Sequence, residues 1–584
     1  MSAPPFTLDR RRFVASVGKG AFAAAACLYL PRAAWAASSP GKASEGVASH
    51  ASQRDFRLAF DYAPLAINGR KGRATAINGT VPAPLLRWKE GEEVTIDVTN
   101  RMPDVPHASI HWHGLLVPAA MDGVPALSFD GIRPGETFRY RFSIKQAGTY
   151  WYHSHSRFQE QTGAYGPIII DPIVPEPFSY DRDHVIVLSD WTFENPEAVF
   201  RNMRLDPDYY AYRRRTATDY FRDVKEKGFA EANAELLPFS AMNMTPRDLS
   251  SVTGKTYTYL VNGRSPEENW RGAFTPGETV RLRFINASSM SIFDVRIPGL
   301  DMTVVMADGK RVNPVAIHEF RIGTAETYDV LIEPKKNMAY AVFAETLDRS
   351  GYALATLAPR PGLKAPLPAR RPPPERTLED VGMGMMKTMP HMHHHGSPKK
   401  TRIDGIPGSG PEPFMPEASN PNVSMTVTEP KRKSHEAGLG LGKDGWRVLT
   451  YDDLTSDERQ PYKKKVDREM TVNLTENMER GVFTMDGKRF AEHDGPYQFR
   501  HNERLRLYMV NHSMMEHPMH VHGMWMQVEN GSPHDNVPFK HTYLLKPAEV
   551  VSVLITPVEK GDWAFHCHLL YHMEAGMFQT VRVA

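Results

Sequence analysis

The sequence predicts an all-β protein built from three related β-sandwich domains. Forty-seven prolines and 42 glycines are spread among short β-branched runs, which is typical of many short strands joined by turns. A chain of 584 residues allows roughly two to four domains, and a hydrophobic fraction of 41% supplies apolar material for several cores. The number three comes from an internal repeat.

That repeat is a strand-like phrase with copies at 91–100, 277–286 and 502–511. Each copy alternates apolar and polar residues, as in a strand with one buried face, and each stops at an asparagine. Chance alternation would explain one copy. Three copies that end in the same residue type favour three related β-sandwich domains.

A second repeat distinguishes the outer domains from the middle one. Segments that begin at Pro134 and Pro547 lead to the pairs His153-Ser-His155 and His566-Cys-His568, and both pairs start five residues after a glycine. The middle domain has a corresponding strand at 337–344 that contains no histidine. We therefore expect the first and third domains to carry the chemistry and the second to act as a spacer.

The N-terminal segment and one internal stretch lack this strand pattern. Residues 1–36 combine an Arg-Arg-x-Phe motif, a short apolar run and an Ala-Trp-Ala end, which predicts a cleaved twin-arginine signal peptide; an uncleaved signal anchor is the alternative. No later stretch approaches the about 20 apolar residues of a membrane span. The predicted organisation is a signal peptide (1–36), three domains (53–175, 180–358 and 422–584) and a Pro-rich, Met/His-rich linker (359–421).

The net charge and the cysteine content limit the possible functions of the protein. A formal charge of +2 carries no signature of nucleic-acid or membrane-surface binding. Of the two cysteines, Cys27 lies in the predicted signal peptide, so an exported Cys567 has no partner thiol in its own chain. Coordination to a metal would protect this thiol from oxidation.

The surroundings of Cys567 suit a mononuclear copper site. One thiolate, two imidazoles and a weak axial thioether form the ligand set that selects copper for electron transfer. Cys567, His572 and Met577 supply three of these groups, and His517 from the preceding hairpin is the fourth. Structural zinc is the competing interpretation, but zinc sites favour several cysteines or a Cys2His2 set.

Eight further histidines form four His-x-His pairs, two from each outer domain. Residues i and i+2 of a strand face the same way, so each pair directs two imidazoles to one point, while Cys567 faces away from its two neighbours. Eight imidazoles suit three coppers with two, three and three ligands, at a site where the outer domains meet. The histidines are His111, His113, His153, His155, His520, His522, His566 and His568.

Together, these motifs resemble the signatures of the multicopper oxidases: His-x-His-Gly at 111–114, His-x-His at 153–155, His-Pro-x-His-x-His-Gly at 517–523, and His-Cys-His-x-x-x-His-x-x-x-x-Met at 566–577. Within the family, the predicted twin-arginine signal, the segments 111–125 and 256–263 and the Met-rich linker are similar to the copper-resistance proteins of the bacterial periplasm. The resemblance covers most of the mature chain. It implies three cupredoxin-like Greek-key β-sandwich domains.

The resemblance also implies four copper ions and a reaction. A reductant would undergo four one-electron oxidations at a type 1 copper. The electrons would reduce O2 to two waters at a cluster of one type 2 and two type 3 coppers. Cys567, His566 and His568 would connect the type 1 copper to this cluster. The implied ligands are His517, Cys567, His572 and Met577 for type 1, His111 and His520 for type 2, His113, His153 and His568 for one type 3 copper, and His155, His522 and His566 for the other.

Two carboxylates near these motifs raise the question of proton supply. Asp122 resembles the acidic residue that the family uses near type 2 copper, although a turn residue in Asp-Gly is the alternative. Glu574 lies between Cys567 and Met577, and the sequence assigns it no role.

The reductant is the least determined feature. Cu(I), transferred through exposed methionines, fits the soft thioethers of the linker stretch 383–395. The candidates for extra Cu(I) binding are Met383, Met385, Met386, Met389 and Met392, which adjoin histidines, but a solvated low-complexity loop is the alternative. Phenols are the laccase-like alternative. A copper-sequestering protein without turnover is the competing class, although storage does not need His-x-His pairs divided between two domains. The Tyr/Arg-rich segment 209–215 is interpreted as a surface helix or insertion.

Overall fold

The computed structural model describes residues 55–584 except 242–243, 385–401, 418, 459–460 and 463–464. The predicted signal peptide and most of the Met/His-rich stretch therefore lie outside the described residues. Within the described part of the chain, no helix is both long and apolar enough to cross a membrane.

The first domain consists of two four-stranded sheets with the orders β2-β1-β4-β6 and β3-β8-β7-β5. Its strands are β1 (Asp55–Ile67), β2 (Arg70–Ile77), β3 (Leu86–Lys89), β4 (Glu93–Asn100), β5 (His111–His113), β6 (Thr137–Ser143), β7 (Gly148–His153) and β8 (Tyr165–Asp171).

The second domain has a six-stranded sheet, β10-β9-β12-β17-β14-β15, and a five-stranded sheet, β11-β19-β18-β13-β16. Its strands are β9 (Arg182–Trp191), β10 (Thr258–Val261), β11 (Trp270–Ala273), β12 (Val280–Asn286), β13 (Phe293–Arg296), β14 (Met302–Ala307), β15 (Lys310–Ile317), β16 (Glu319–Ile322), β17 (Thr327–Ile332), β18 (Tyr340–Thr346) and β19 (Tyr352–Ala358).

The third domain repeats this plan, with the sheets β21-β20-β23-β28-β25-β26 and β22-β30-β29-β24-β27. Its strands are β20 (Arg468–Asn477), β21 (Val482–Met485), β22 (Tyr497–Phe499), β23 (Leu505–Asn511), β24 (His517–Val521), β25 (Met526–Val528), β26 (Phe539–Lys540), β27 (Thr542–Leu545), β28 (Val550–Ile555), β29 (Gly561–Cys567) and β30 (Phe578–Val583). The predicted all-β class with three sandwich domains is confirmed.

The repeated phrase occupies the same position in each domain. It forms β4, β12 and β23, and each of these strands has one parallel and one antiparallel neighbour, in the sets β1-β4-β6, β9-β12-β17 and β20-β23-β28. The asparagines that end the three strands are fully buried. Each accepts a hydrogen bond on its side-chain oxygen from the backbone N–H two residues later, at 2.9–3.1 Å. The shared asparagine therefore turns the chain where the strand ends.

A helical segment lies between β9 and β10. It contains α1 (Pro196–Leu205), α2 (Ala217–Lys227) and α3 (Phe229–Ala241). Asn195 caps α1, with Pro196 in the first turn, and Thr216 and Asp219 form a capping box on α2. The Tyr/Arg-rich segment 209–215 is the irregular connection between α1 and α2 rather than a helix.

The described parts of the predicted linker contain no strand, but several of their side chains are packed into the protein. Leu378, Val381 and Met383 are buried in the hydrophobic core that joins the second and third domains. The expectation that Met383 is an exposed thioether for Cu(I) is therefore wrong, because apolar packing covers its side chain. Met385, Met386, Met389 and Met392 lie outside the described residues.

The first domain also packs against the third. Trp525 and Phe539 of the third domain belong to the core cluster of the first, where Trp525 lies 6.3 Å from Tyr150 between ring centroids. This contact brings the histidine-bearing strands β5 and β7 towards β24 and β29.

Candidate copper centres

The first site, which we call the mononuclear site, comprises His517, Cys567, His572 and Met577. His517 begins β24, Cys567 ends β29, and His572 lies in the short helix α4 (Leu570–Glu574). The Nδ1 atom of His517 lies 3.4 Å from the Cys567 Sγ and 3.3 Å from the His572 Nδ1. The backbone carbonyl of Met577 accepts a hydrogen bond from the Cys567 N–H at 3.1 Å, so the predicted axial residue is adjacent.

Serine hydroxyls hold the outer nitrogens of both imidazoles. The Nε2 atom of His517 lies 2.6 Å from the Ser513 hydroxyl, and that of His572 lies 2.8 Å from the Ser251 hydroxyl. Both hydroxyls donate elsewhere, Ser513 to Asn511 and Ser251 to the sulfur of Met515, so each accepts from its histidine. The proton of each imidazole therefore sits on Nε2, and the Nδ1 lone pairs face the thiol.

Burial disfavours charge on these groups in the absence of a metal. It raises the pKa of the Cys567 thiol and lowers the pKa of His517 to about 3. Neutral imidazoles are the form that binds metals, and a cation at the sulfur would stabilise the thiolate. The four groups fit the trigonal copper set with a thioether axis.

The second site, the interdomain cluster, gathers the eight histidines of the four His-x-His pairs. In the first domain β5 pairs with β7, and His111 is opposite His153. In the third domain β24 pairs with β29, and His520 is opposite His566. All of them are buried except His155, which is half-buried.

Within this cluster the ring nitrogens converge in three groups, each with its nitrogens within 4.8 Å of one another. Every group mixes the two domains. The groups are His111 with His113 and His520, His113 with His153 and His568, and His155 with His522 and His566. Cys567 contributes to none of them and instead groups with His517 and His572. The residues 566–568 thus face two sites, as strand alternation predicts.

The hydrogen bonding of the cluster fits bound cations. Outer nitrogens have protein partners: the Nδ1 of His520 donates to the His541 carbonyl at 2.6 Å and that of His566 to the Cys567 carbonyl at 3.0 Å. The inward nitrogens have none or face each other, as do the Nε2 atoms of His522 and His566 at 3.0 Å. Among the eight histidines of the cluster, five buried ring nitrogens have no hydrogen-bond partner: Nε2 of His111, His153, His520 and His568, and Nδ1 of His113. Buried lone pairs without donors are what metal ligands present.

Asp122 joins the two outer domains at this cluster. It follows a short 3-10 helix (Ala119–Met121), which accounts for its turn-like sequence, and its side chain is 1% exposed. One carboxylate oxygen accepts a hydrogen bond from the Nδ1 of His522 at 2.8 Å, and the other lies 3.3 Å from the Nδ1 of His111. The Nδ1 of His111 donates to the backbone carbonyl of Asp122 at 2.9 Å. Asp122 therefore orients one imidazole from each domain, His522 through its carboxylate and His111 through its backbone.

Three residues around His113 were missed by the sequence reasoning. The Nε2 atom of His113 lies 3.1 Å from the Thr542 hydroxyl and 3.1 Å from the Nδ1 of His541. Asp308 of the second domain accepts the backbone N–H groups of both His541 and Thr542 at 3.0 Å. The middle domain contributes no histidine to the groups found among the described residues, yet it supports the cluster through Asp308. No motif marks these residues, because their roles depend on how the domains pack.

Two further acidic side chains lie close to the sites. Glu160 is buried beside His153, with one carboxylate oxygen 2.6 Å from the Nδ1 of that histidine, and burial raises its pKa well above the usual range. Glu574 forms an ion pair with Arg157, which also pairs with Glu197. Glu160 carried no signal in the sequence, whereas Glu574, which the sequence did single out, is engaged in a surface ion pair.

Comparisons with known proteins agree with this geometry. Family models described as multicopper oxidase match residues 60–174, 182–360 and 463–584. Copper resistance protein A of Escherichia coli is 44% identical over 583 residues, covering 94% of this chain and 96% of that protein. The Copper resistance protein A homolog of Pseudomonas syringae pv. tomato is 43% identical, covering 99% and 100%.

A solved structure resembles the fold over most of its length. The crystal structure of Fet3p, described as a multicopper oxidase that functions in iron import, superposes with a TM-score of 0.61 over 91% of this chain and 90% of that chain. The sequence identity is 19%, so this likeness concerns the fold alone.

Proposed function

Since this chain belongs to the multicopper oxidase family and is an oxidoreductase, we propose that it oxidises Cu(I) to Cu(II) in the bacterial periplasm and transfers the electrons to O2. Four one-electron oxidations balance one O2, which takes four electrons and four protons to give two waters. The biological role that we propose is copper resistance, which is also the name of the relatives that share 43–44% identity.

We assign four coppers to the two sites. The unpartnered inward nitrogens and the buried thiol support this assignment. When bound, copper supplies a metal that cycles between Cu(I) and Cu(II) at both sites and binds O2 at the cluster. The proposed ligands are His517, Cys567, His572 and Met577 for type 1, His111 and His520 for type 2, His113, His153 and His568 for one type 3 copper, and His155, His522 and His566 for the other.

The observation that carries the proposal is the position of Cys567 between His566 and His568. Its sulfur faces the mononuclear site, while its two neighbours contribute to two different groups of the interdomain cluster. A short run of covalent bonds therefore connects the two sites. Storage of copper would not need this connection, whereas electron transfer between sites does.

The protein's own residues prepare the cluster for O2 chemistry. Burial removes bulk water from the imidazoles. Asp122 holds the Nδ1 proton of His522 with its carboxylate and that of His111 with its backbone carbonyl, so that the Nε2 lone pairs of both histidines face the cluster. Asp122 is also the buried acid of the first domain that contacts both halves of the cluster, which supports the proposal that it participates in proton supply.

Cu(I) is the proposed reductant because of a cavity beside the mononuclear site. Its lining includes the thioether of Met515 and five charged side chains, which are Asp208, Asp248, Asp348, Arg213 and Arg247, so carboxylates outnumber guanidinium groups. The Met515 sulfur accepts a hydrogen bond from Ser251, whose hydroxyl contacts His572, so the cavity is two side chains away from a proposed copper ligand. A thioether favours the soft Cu(I) ion, and a carboxylate attracts a cation.

Phenol oxidation is the second candidate. An aromatic side chain at the cavity favours it, since Tyr212 contributes to the lining and is exposed. Extra Cu(I) binding by the linker methionines that lie outside the described residues belongs to the Cu(I) proposal. The periplasmic location rests on the predicted twin-arginine signal in residues 1–36.

An oxygen electrode tests the proposal directly. Copper-loaded protein is mixed with Cu(I) or with a phenol, and apoprotein serves as the blank for spontaneous oxidation. We expect steady O2 consumption with four Cu(I) oxidised for each O2. Consumption with the phenol alone would support the laccase-like alternative, and no consumption with either would support copper sequestration.

A further inference from the structure

We propose that Glu160 is a positioning residue for the interdomain cluster. Its carboxylate holds the proton of His153 on Nδ1, and it supplies negative charge beside the copper that His153 would bind. The inference rests on the proposed function, because it needs a cation at His153.

The local backbone fixes Glu160 in place. The residue lies in a turn at 157–163 between β7, which ends at His153, and β8. The Gly163 N–H donates to the Glu160 carbonyl at 3.1 Å, and Ser154 donates to the side chain of Gln159 at 2.8 Å. The turn therefore folds back onto the strand end and places the Glu160 side chain beside His153 at the end of β7, where Glu160 is 3% exposed.

The contacts of His153 define which of its nitrogens is free. Its Nδ1 lies 2.6 Å from the Oε2 of Glu160 and 3.2 Å from the Ser154 carbonyl, two acceptors that both require a proton on Nδ1. Its Nε2 is buried without a hydrogen-bond partner. Carboxylate, imidazole and metal in this order form the arrangement that orients histidine ligands in many metal sites.

An ionised Glu160 would have no cationic side chain beside it among the described residues other than the histidines of the cluster. Its Oε1 is buried without a hydrogen-bond partner, and no arginine or lysine in the described part of the chain forms an ion pair with it. The carboxylate of Asp190 further disfavours the ionised form and raises the pKa of Glu160. Burying a carboxylate without a cation costs several kcal/mol. A cation bound to the neighbouring imidazoles would remove that cost.

The surrounding space is consistent with this role. Glu160 lines a narrow cavity together with His153, His155, His566 and His568, which come from both outer domains. Its carboxylate therefore borders two of the three groups of converging nitrogens, whereas Asp122 contacts His111 and His522 on other sides of the cluster.

Glu476 provides a matched control. It is also fully buried, with one carboxylate oxygen that accepts the Met514 N–H at 2.7 Å and the other without a partner. It contacts none of the proposed ligands. Replacement by glutamine removes one buried carboxyl group in each case and keeps the size of the side chain.

The test compares Glu160→Gln and Glu476→Gln in the full-length protein, with three measurements: copper bound per chain against a competing chelator, the unfolding temperature of the apoprotein, and the rise in that temperature when copper is added. For Glu160→Gln we expect a tenfold to hundredfold weaker affinity for the cluster coppers. Its apoprotein should unfold at the same or a higher temperature than wild type, and the blue absorbance of the mononuclear site should remain. For Glu476→Gln the cluster affinity should be unchanged.

Three results would overturn the inference. One is a Glu160→Gln protein with wild-type copper affinity and the wild-type rise in unfolding temperature. Another is an apoprotein of this variant that is strongly destabilised, since Glu160 would then serve the fold. The third is an equal loss of cluster affinity in Glu476→Gln. A wild-type protein that binds a single copper would instead refute the proposed function, and this is measured before either variant.

Discussion

The mononuclear site and the interdomain cluster use different groups to hold the outer nitrogens of their histidines. At the mononuclear site the partners are the hydroxyls of Ser513 and Ser251. At the cluster they include the carboxylate of Asp122 and several backbone carbonyls, and Glu160 contacts His153. Hydroxyls are neutral, whereas carboxylates bring negative charge.

The difference follows from the charge of the ligands themselves. The mononuclear site contains a thiol, and the thiolate would offset part of the charge of a bound copper. The cluster consists of neutral imidazoles, so three coppers there would leave a large positive charge in a buried space. Buried carboxylates beside the imidazoles reduce that charge. The residues that contact the proposed ligands therefore carry negative charge at the site where the ligands themselves carry none.

The two sites also differ in how they are assembled. His517, Cys567, His572 and Met577 all come from the third domain, although Ser251 comes from the second. The cluster needs the first and third domains together, and Asp308 of the second supports it. We therefore expect variants of the mononuclear site to leave the cluster intact.

The largest expected effect is that of Cys567→Ser. The hydroxyl of serine does not replace a thiolate as a copper ligand, so the blue absorbance and turnover with Cu(I) should both be lost. Copper bound by the cluster should remain, because none of its converging groups includes Cys567. Absorption spectra and copper content per chain check this. Blue absorbance that survives would refute the mononuclear assignment.

A smaller effect is expected for Asp122→Asn. The amide oxygen can still accept the Nδ1 proton of His522, but the negative charge is lost. We expect a tenfold to hundredfold decrease in the rate of O2 reduction or in the copper affinity of the cluster. The blue absorbance should not change, which distinguishes the two sites. The matched control is Asp130→Asn, since Asp130 is an exposed aspartate of the same loop region and should behave as wild type.

The sequence predicted those features of the two sites that depend on local patterns, and it missed those that depend on tertiary packing. Strand alternation around Cys567 predicted that His566 and His568 face away from the sulfur, and the three repeated strands that end at Asn100, Asn286 and Asn511 predicted the number of domains. Both signals are local. The partner Glu160 lies in a turn, and the partner Ser251 lies in the irregular stretch between α3 and β10. In neither place does a periodicity indicate which way a side chain points. Only tertiary packing brings them to the histidines.

Tertiary packing also explains why the prediction for Met383 was wrong. Its neighbours in sequence predicted a soft, exposed thioether, but residues 378–383 pack into the core between the second and third domains. Composition describes what a segment can bind, whereas burial depends on surfaces that lie far away in the sequence.

The smallest expected effect is that of Ser251→Ala, which removes the hydroxyl from the Nε2 of His572. A neutral hydrogen bond contributes about 0.5–1.5 kcal/mol, so the copper affinity of the mononuclear site should fall about two- to tenfold. The effect should be weaker than that of Asp122→Asn on the cluster, because no charge is removed. A chelator titration that follows the blue absorbance measures it, and Ser250→Ala is the control, since Ser250 lines the same cavity. If Ser251→Ala weakened copper binding as strongly as Asp122→Asn does, neutral and charged partners would be equivalent, and the contrast between the two sites would have to be abandoned.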